Sequence, residues 1–256
     1  MVQTIRSITQ VGTHEPFNLQ VARKQIPGHL PLYKFGFNTD LDAGEETIWN
    51  QGGNVPWPTS AFTAYIVSSD AADVGGGTNT NTVRVEGLDA NYHEQSVVVT
   101  LNGLTPVAIS GTWIRVNRAF VTLAGSGGTS AGIITVQDQT GTIIYASLAL
   151  GNQTQMAVYT VPAGFTLYLD DINFTAALGL ANKRVTASFV AREFGSNVFR
   201  TGFINVLQSS QVIAKFDYPL AFPEKTDMEC RAFTDTVNTK VGASFQGVLV
   251  QNQGPL

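Results

Sequence analysis

Cysteine is almost absent from this chain of 256 residues: Cys230 stands alone, which excludes an internal disulfide and fits folding in a reducing compartment. It alternates with Met228 and Ala232, so it is expected to be a small buried apolar residue. Charge is scarce as well. Asp, Glu, Lys and Arg make up 13% of the chain, about half the ~25% usual for soluble domains. The net charge of −4 and the lack of Lys/Arg runs argue against nucleic acid as a primary ligand. No apolar run reaches the ~18 residues needed to span a bilayer, so no membrane partner is expected. The opening MVQTIRSITQVG has no apolar core of a signal peptide. Helical periodicity is missing too: no window exceeds two turns, and the best is the 175–181 connection, read as one short helix. Apolar content is an ordinary 43%, so a core is available while much of the surface is neutral. Such a surface is weak protection against association and fits a protein covered by partners.

What the chain does have is strand pattern. From Asn79 to Gly103 two alternating runs flank a Gly-Leu-Asp-Ala-Asn turn and stop at Asn102-Gly103, a strong turn signal. Further runs recur every 8–12 residues, the spacing of a sandwich or barrel. Strands are expected near 62–68, 82–87, 95–101, 112–123, 132–137, 142–149, 155–161, 165–174, 185–194, 198–207, 211–217, 228–234 and 241–251. The fold class is all-β. Its open edges would need covering by other segments or by neighbours.

The first 58 residues read differently. After a candidate strand at 3–9, Pro16, Pro27, Pro31, Pro56 and Pro58 alternate with Gly28, Gly36, Gly44, Gly52 and Gly53. Neither a long helix nor a central strand is expected there. The residues divide the chain into an extended N-terminal arm, 1–58, and a β-sandwich body, 59–256. The arm's aromatic residues need a surface to bury against. Arg23, Lys24, Tyr33, Phe35, Phe37, Trp49 and Trp57 are therefore the expected inter-subunit or inter-protein contacts, joined by Trp113 in the body.

No constellation points to catalysis. Asp40, Asp42, Glu45 and Glu46 lack the remaining ligands of a calcium loop and read as a solvated acidic turn. Asp70 and Asp73 open the Gly75-Gly76-Gly77 loop, which leads into a strand with no nearby Lys, so a mobile hairpin loop is expected rather than a phosphate cradle. Asp170 and Asp171 are adjacent in a strand and would point to opposite faces, so a bulge or strand end is the reading. His14, His29 and His93 are not spaced for zinc, and no Gly-x-Ser-x-Gly elbow occurs. Trp113, with Arg115 and Asn117 on its face, is read as core or interface packing, with a carbohydrate platform as the alternative.

Several phrases resemble virion structural proteins of tailed bacteriophages: VARKQIPGH (21–29), EETIWNQGGNVPWP (45–58), GTNTNTVRVEGLDANY (77–92) and VTLNG (99–103). WIRVNRAFV (113–121), YTVPAGFTLYL (159–169), YPLAFPEKTDMECRA (218–232) and VGASFQGVLV (241–250) are similar to that family as well. Family phrases often carry Gly where Lys24 stands, and Gly-Ala where Asn79-Thr80 stand. The resemblance implies a jelly-roll-like β-sandwich in the particle, with no catalytic residues, metal or cofactor to carry over. The expected role is a non-enzymatic capsid decoration or cement protein on the capsid exterior. Its partners would be the major capsid protein and itself, as a homotrimer assembled in the host cytoplasm. The alternative is a tail, neck or fibre component that binds a receptor or surface glycan.

Overall fold

The computed structural model describes residues 15–149, 151–177, 183–208, 210–235 and 239–252. The candidate strand at 3–9 and His14 lie outside the described residues. A short helix α1 (Phe17–Ala22) precedes β1 (His29–Leu41) and β2 (Glu46–Thr47). Seven strands follow: β3 (Tyr65–Ser68), β4 (Thr80–Leu88), β5 (Glu94–Thr100), β6 (Val107–Ala108), β7 (Arg115–Ala124), β8 (Ile134–Gln137) and β9 (Ile144–Leu148). The remainder runs β10 (Val158–Thr160), β11 (Phe165–Ala177), β12 (Val185–Arg192), β13 (Arg200–Leu207), β14 (Gln211–Phe222), β15 (Asp227–Thr234) and β16 (Thr239–Gln251). All named pairings are antiparallel.

These strands build two lobes with separate cores. In the first, a sheet ordered β1-β16-β11-β14 faces a sheet ordered β10-β15-β12-β13, with β2 added beside β15. With β2 to β9 set aside, the chain's first strand pairs with its last, and the second with the last but one. That order, first–eighth–third–sixth opposite second–seventh–fourth–fifth, is the double Greek key of a jelly roll. Leu167, Leu169, Ile172, Phe174, Phe189 and Phe245 fill the space between its sheets. Cys230 is buried in this core, and burial pushes its thiol well above the usual range.

The second lobe, β3 to β9, is inserted in the connection between the first and second jelly-roll strands. It has sheets ordered β6-β3-β8-β9 and β5-β4-β7 around Ile66, Val83, Val85, Ile134 and Trp113. The sandwich body is therefore two sandwiches, not one continuous body over 59–256.

The expected arm is also corrected. Residues 29–41 are a full 13-residue strand of the jelly roll. Pro31 misleads because β1 is an edge strand, where a missing amide donor is tolerated. Gly36 misleads because it is required for close approach: a Cβ there would sit 2.1 Å from the Ile48 carbonyl oxygen and 2.4 Å from the Ala157 nitrogen. Lys24, where the phage phrases carry Gly, has φ of 58°, a left-handed conformation that glycine adopts without penalty.

Two further readings change. Residues 175–177 continue β11 instead of starting a helix, and 178–182 lie outside the described residues. The Asp70–Asn81 loop is pinned: the buried Asp73 carboxylate accepts from Ser68 Oγ and from the amides of Thr80, Ala131 and Gly132. Burial alone would raise its pKa, but those four donors hold it below the usual carboxylate range. At Asp170 the register of β11 slips against both neighbours, and this is the bulge expected from the sequence.

Candidate functional site

Three features bear on function: a charged seam and an open cleft, both between the lobes, and one sheet face that the described residues leave uncovered. The seam is centred on β15, where Asp227, Glu229 and Arg231 alternate with the core residues Met228, Cys230 and Ala232. Period-two alternation puts the charged set opposite the jelly-roll core, against the inserted lobe. Asp227 binds Arg115 of β7 at 2.8 Å to both Nε and Nη2, Arg192 Nη2 at 2.6 Å and Thr160 Oγ1 at 2.6 Å. Glu229 accepts from Thr47 Oγ1, from Trp57 Nε1 at 3.2 Å and from Arg231 Nη2 at 2.6 Å. Burial raises the Glu229 pKa, while Arg231, Thr47 and Trp57 oppose the shift. Guanidinium groups and rings then interleave. Arg115 lies 5.2 Å from the Trp57 ring, Arg192 lies 4.7 Å from Phe199, and Arg231 lies 4.7 Å from the same ring. Every buried cation of this stack has a carboxylate, so it fastens the lobes and leaves no reactive group idle.

The second contact is an open cleft of about 440 Å³ between β1 and the β5-β4-β7 sheet. Lys34 reaches into it from β1, only 8% exposed, with its Nζ donating to the Asn117 carbonyl oxygen. Burial, helped by Arg118 and opposed by Glu86, lowers its pKa from 10.5 to about 7. Glu94 on the opposite wall is shifted upward by burial and by Glu86, and Tyr159 is shifted upward by burial and by Glu94.

The third feature is the outer face of β1-β16-β11-β14. Register sets its rows across the four strands: Pro31, Val248, Tyr168, Ala221; then Tyr33, Gln246, Asp171, Lys215; then Phe35, Ser244, Asn173, Ile213; then Phe37, Gly242, Thr175, Gln211. The strand spacing and rise make this face about 15 by 20 Å. Tyr33 is 62% exposed, Ile213 54% and Tyr168 40%. The only charges in these rows are Asp171 and Lys215, directly opposite each other in register. An antiparallel sheet usually turns a polar face to water; this one mixes polar residues with exposed Tyr33, Tyr168 and Ile213.

The residues singled out from sequence fall into distinct places. Tyr33, Phe35 and Phe37 share the uncovered face, with Tyr33 and Phe35 stacked at 6.0 Å. Arg23 and Lys24 are exposed after α1, and Arg23 pairs with Glu15. Trp57 belongs to the seam. Trp49 and Trp113 are corrections: both are buried in the inserted lobe's core, so neither offers a contact surface or a sugar platform. Isolated bridges to residues distant in sequence hold them there, Trp49 to Met156 and Trp113 to Phe62. The acidic turn is tied down as well, with Glu45 bound to Arg231 and Glu46 to Asn38 and the Gly53 amide. Lys34, Asp227 and Glu229 were missed. The signal was present in Asp-Met-Glu-Cys-Arg, a strand with one charged and one apolar face.

No protein-family model matches the chain, and no curated protein matches it. Among solved structures it is similar to that of the infectious bursal disease virus Gx strain, at 10% identity and a TM-score of 0.26, covering 89% of this chain and 73% of that one. It is also similar to the VP2 subviral particle of infectious bursal disease virus, at 11% identity and a TM-score of 0.22, covering 87% and 72%. Likenesses this slight carry no argument about function. The jelly-roll assignment rests on the strand order itself.

Proposed function

We propose that the protein is a non-enzymatic structural subunit of a virus particle, and most specifically a capsid decoration or cement protein of a tailed bacteriophage. The observation that carries this reading is the uncovered, nearly charge-free face bearing Tyr33, Phe35, Phe37, Tyr168 and Ile213. Exposed aromatic and aliphatic side chains gathered on one sheet face are the kind of surface that marks a contact site. Jelly rolls serve viral capsids but also lectins and cupins, so the fold alone leaves the function open. The phage-like phrases along the chain favour the capsid among these. In this reading the face seats on the major capsid protein, and cyclic self-association gives the homotrimer suited to three-fold lattice positions.

The test is binding of the purified protein to emptied, expanded phage capsids, with Tyr33→Glu and Ile213→Lys combined in one variant. Saturable binding that the variant loses, with its melting temperature unchanged, supports the reading. Equal binding by the variant removes it. Deleting 1–58 is not a usable test, because it would remove β1 from the jelly roll.

A tail or fibre role with glycan binding has one observation in its favour. Tyr92 and Phe194, 5.5 Å apart, sit beside Lys225 at the mouth of a recess of about 310 Å³ next to the seam. A glycan-array signal abolished by Phe194→Ala, together with only six to a few tens of copies per particle, would favour that role over cement.

A further inference from the structure

The cleft between the lobes shares Pro31 and Tyr33 of β1 with the docking face, but its chemistry is different. Lys34 enters it from β1 with its Nζ bonded to one backbone carbonyl, that of Asn117. No carboxylate of the described residues lies within ion-pair distance of that nitrogen. The groups facing it are Arg118 from β7, Glu86 from β4, Glu94 from β5 and Tyr159 from β10. A buried ammonium without a counter-ion is unfavourable, and the usual resolution is loss of its proton. The nearby Arg118 cation pushes the same way. An unprotonated lysine beside open space of about 440 Å³ is a nucleophile with room for a small molecule.

We propose that this cleft is a site for a small aldehyde or ketone, which Lys34 holds covalently as an imine. The Nζ lone pair attacks the carbonyl carbon to give a carbinolamine. The carbonyl oxygen then leaves as water, taking the two protons of the amine, and a C=N bond remains. No oxidant or reductant enters. The walls suit a carbonyl compound with a short apolar part and polar substituents: Leu30, Leu32 and Leu249 lie on one side, Gln95, Ser96 and Asn117 on the other. An adduct there would sit between β1 of the jelly roll and β5 of the inserted lobe.

The experiment uses propionaldehyde as the probe, with cyanoborohydride to reduce any imine to a stable secondary amine, followed by peptide mapping. Lys24, Lys183, Lys215, Lys225 and Lys240 are internal controls. At pH 7 about half of the Lys34 side chains would carry a free amine, against roughly one in 2,500 for an ordinary lysine. Labelling at Lys34 should outpace every other lysine by at least ten-fold at pH 7, and this preference should vanish at pH 10.5. A Lys34→Met variant that still unfolds cooperatively should lose the fast-labelling site alone. Lys34 left unlabelled, or labelled no faster than the exposed Lys215 and Lys240, overturns the proposal. Capsid binding is unaffected by either result, so this test and that of the docking face fail separately.

Discussion

Two of the contacts between the lobes treat a buried cation in opposite ways. At the seam, Arg115 and Arg192 share the Asp227 carboxylate, with a Trp57–Phe199 stack closing over them. At the cleft, Lys34 is bonded to a backbone oxygen, with Glu86 acting on it only from beyond ion-pair distance. Arginine cannot surrender its proton, so it enters a low-dielectric site only with an anion. Lysine can, and burial at the cleft lowers the Lys34 pKa to about 7. A buried ionic contact is rigid where every charge is matched, and chemically available where one is not.

Breaking the matched side should have the largest effect. Asp227→Asn leaves two buried guanidinium groups without a carboxylate and should cost about 3–5 kcal/mol, measured by urea unfolding. A loss below about 1 kcal/mol would show that the seam does not hold the lobes.

The unmatched side should respond with the opposite sign. The folded pKa of Lys34, about 7, lies below its unfolded value near 10.5, so between these the unfolded chain binds more protons. The penalty is therefore fully present below pH 7 and disappears as pH rises from about 7 to 10.5, and stability rises over that window. Lys34→Met should raise stability at pH 7 by about 2 kcal/mol and flatten that rise. Unfolding midpoints for the two proteins that run parallel from pH 7 to 10 would refute the assignment.

Arg231 sharpens the comparison with a smaller effect. It is part-exposed, and Glu229 keeps Thr47 and Trp57 as donors when the guanidinium is gone. Arg231→Gln should cost about 1 kcal/mol. It should also push the Glu229 pKa further up, because burial would then act with less opposition. A carboxylate-resolved NMR titration would read that shift.

The sequence made most strands after residue 60 legible: each of the thirteen expected runs overlaps one, and the two-residue β6 lay outside them. Alternation reports a strand that is buried on one side and wet on the other, and most strands here are of that kind. It failed at β1 for a physical reason. The inward residues of that strand pass from the jelly-roll core at Leu30 and Leu32 to the cleft at Lys34, then to a backbone contact at Gly36 and a hydrogen bond at Asn38. No single apolar face exists there to be read. For the same reason Tyr33, Phe35 and Phe37 were singled out one by one while their common sheet face was not. The inserted lobe escaped notice because its strands carry the same alternation as those of the jelly roll. Only long-range pairing separates the two, and β-pairing partners leave no mark in local sequence.

The pairing of β1 with β16 also fixes when the surface of this protein comes into existence. Tyr33, Phe35 and Phe37 are synthesised early, but the strand that orders them ends at Gln251. Contacts so distant in sequence form late and slowly. A nascent chain, or one broken before residue 239, has no ordered aromatic sheet to offer. Any association through that face therefore waits until β16 has been made and paired with β1.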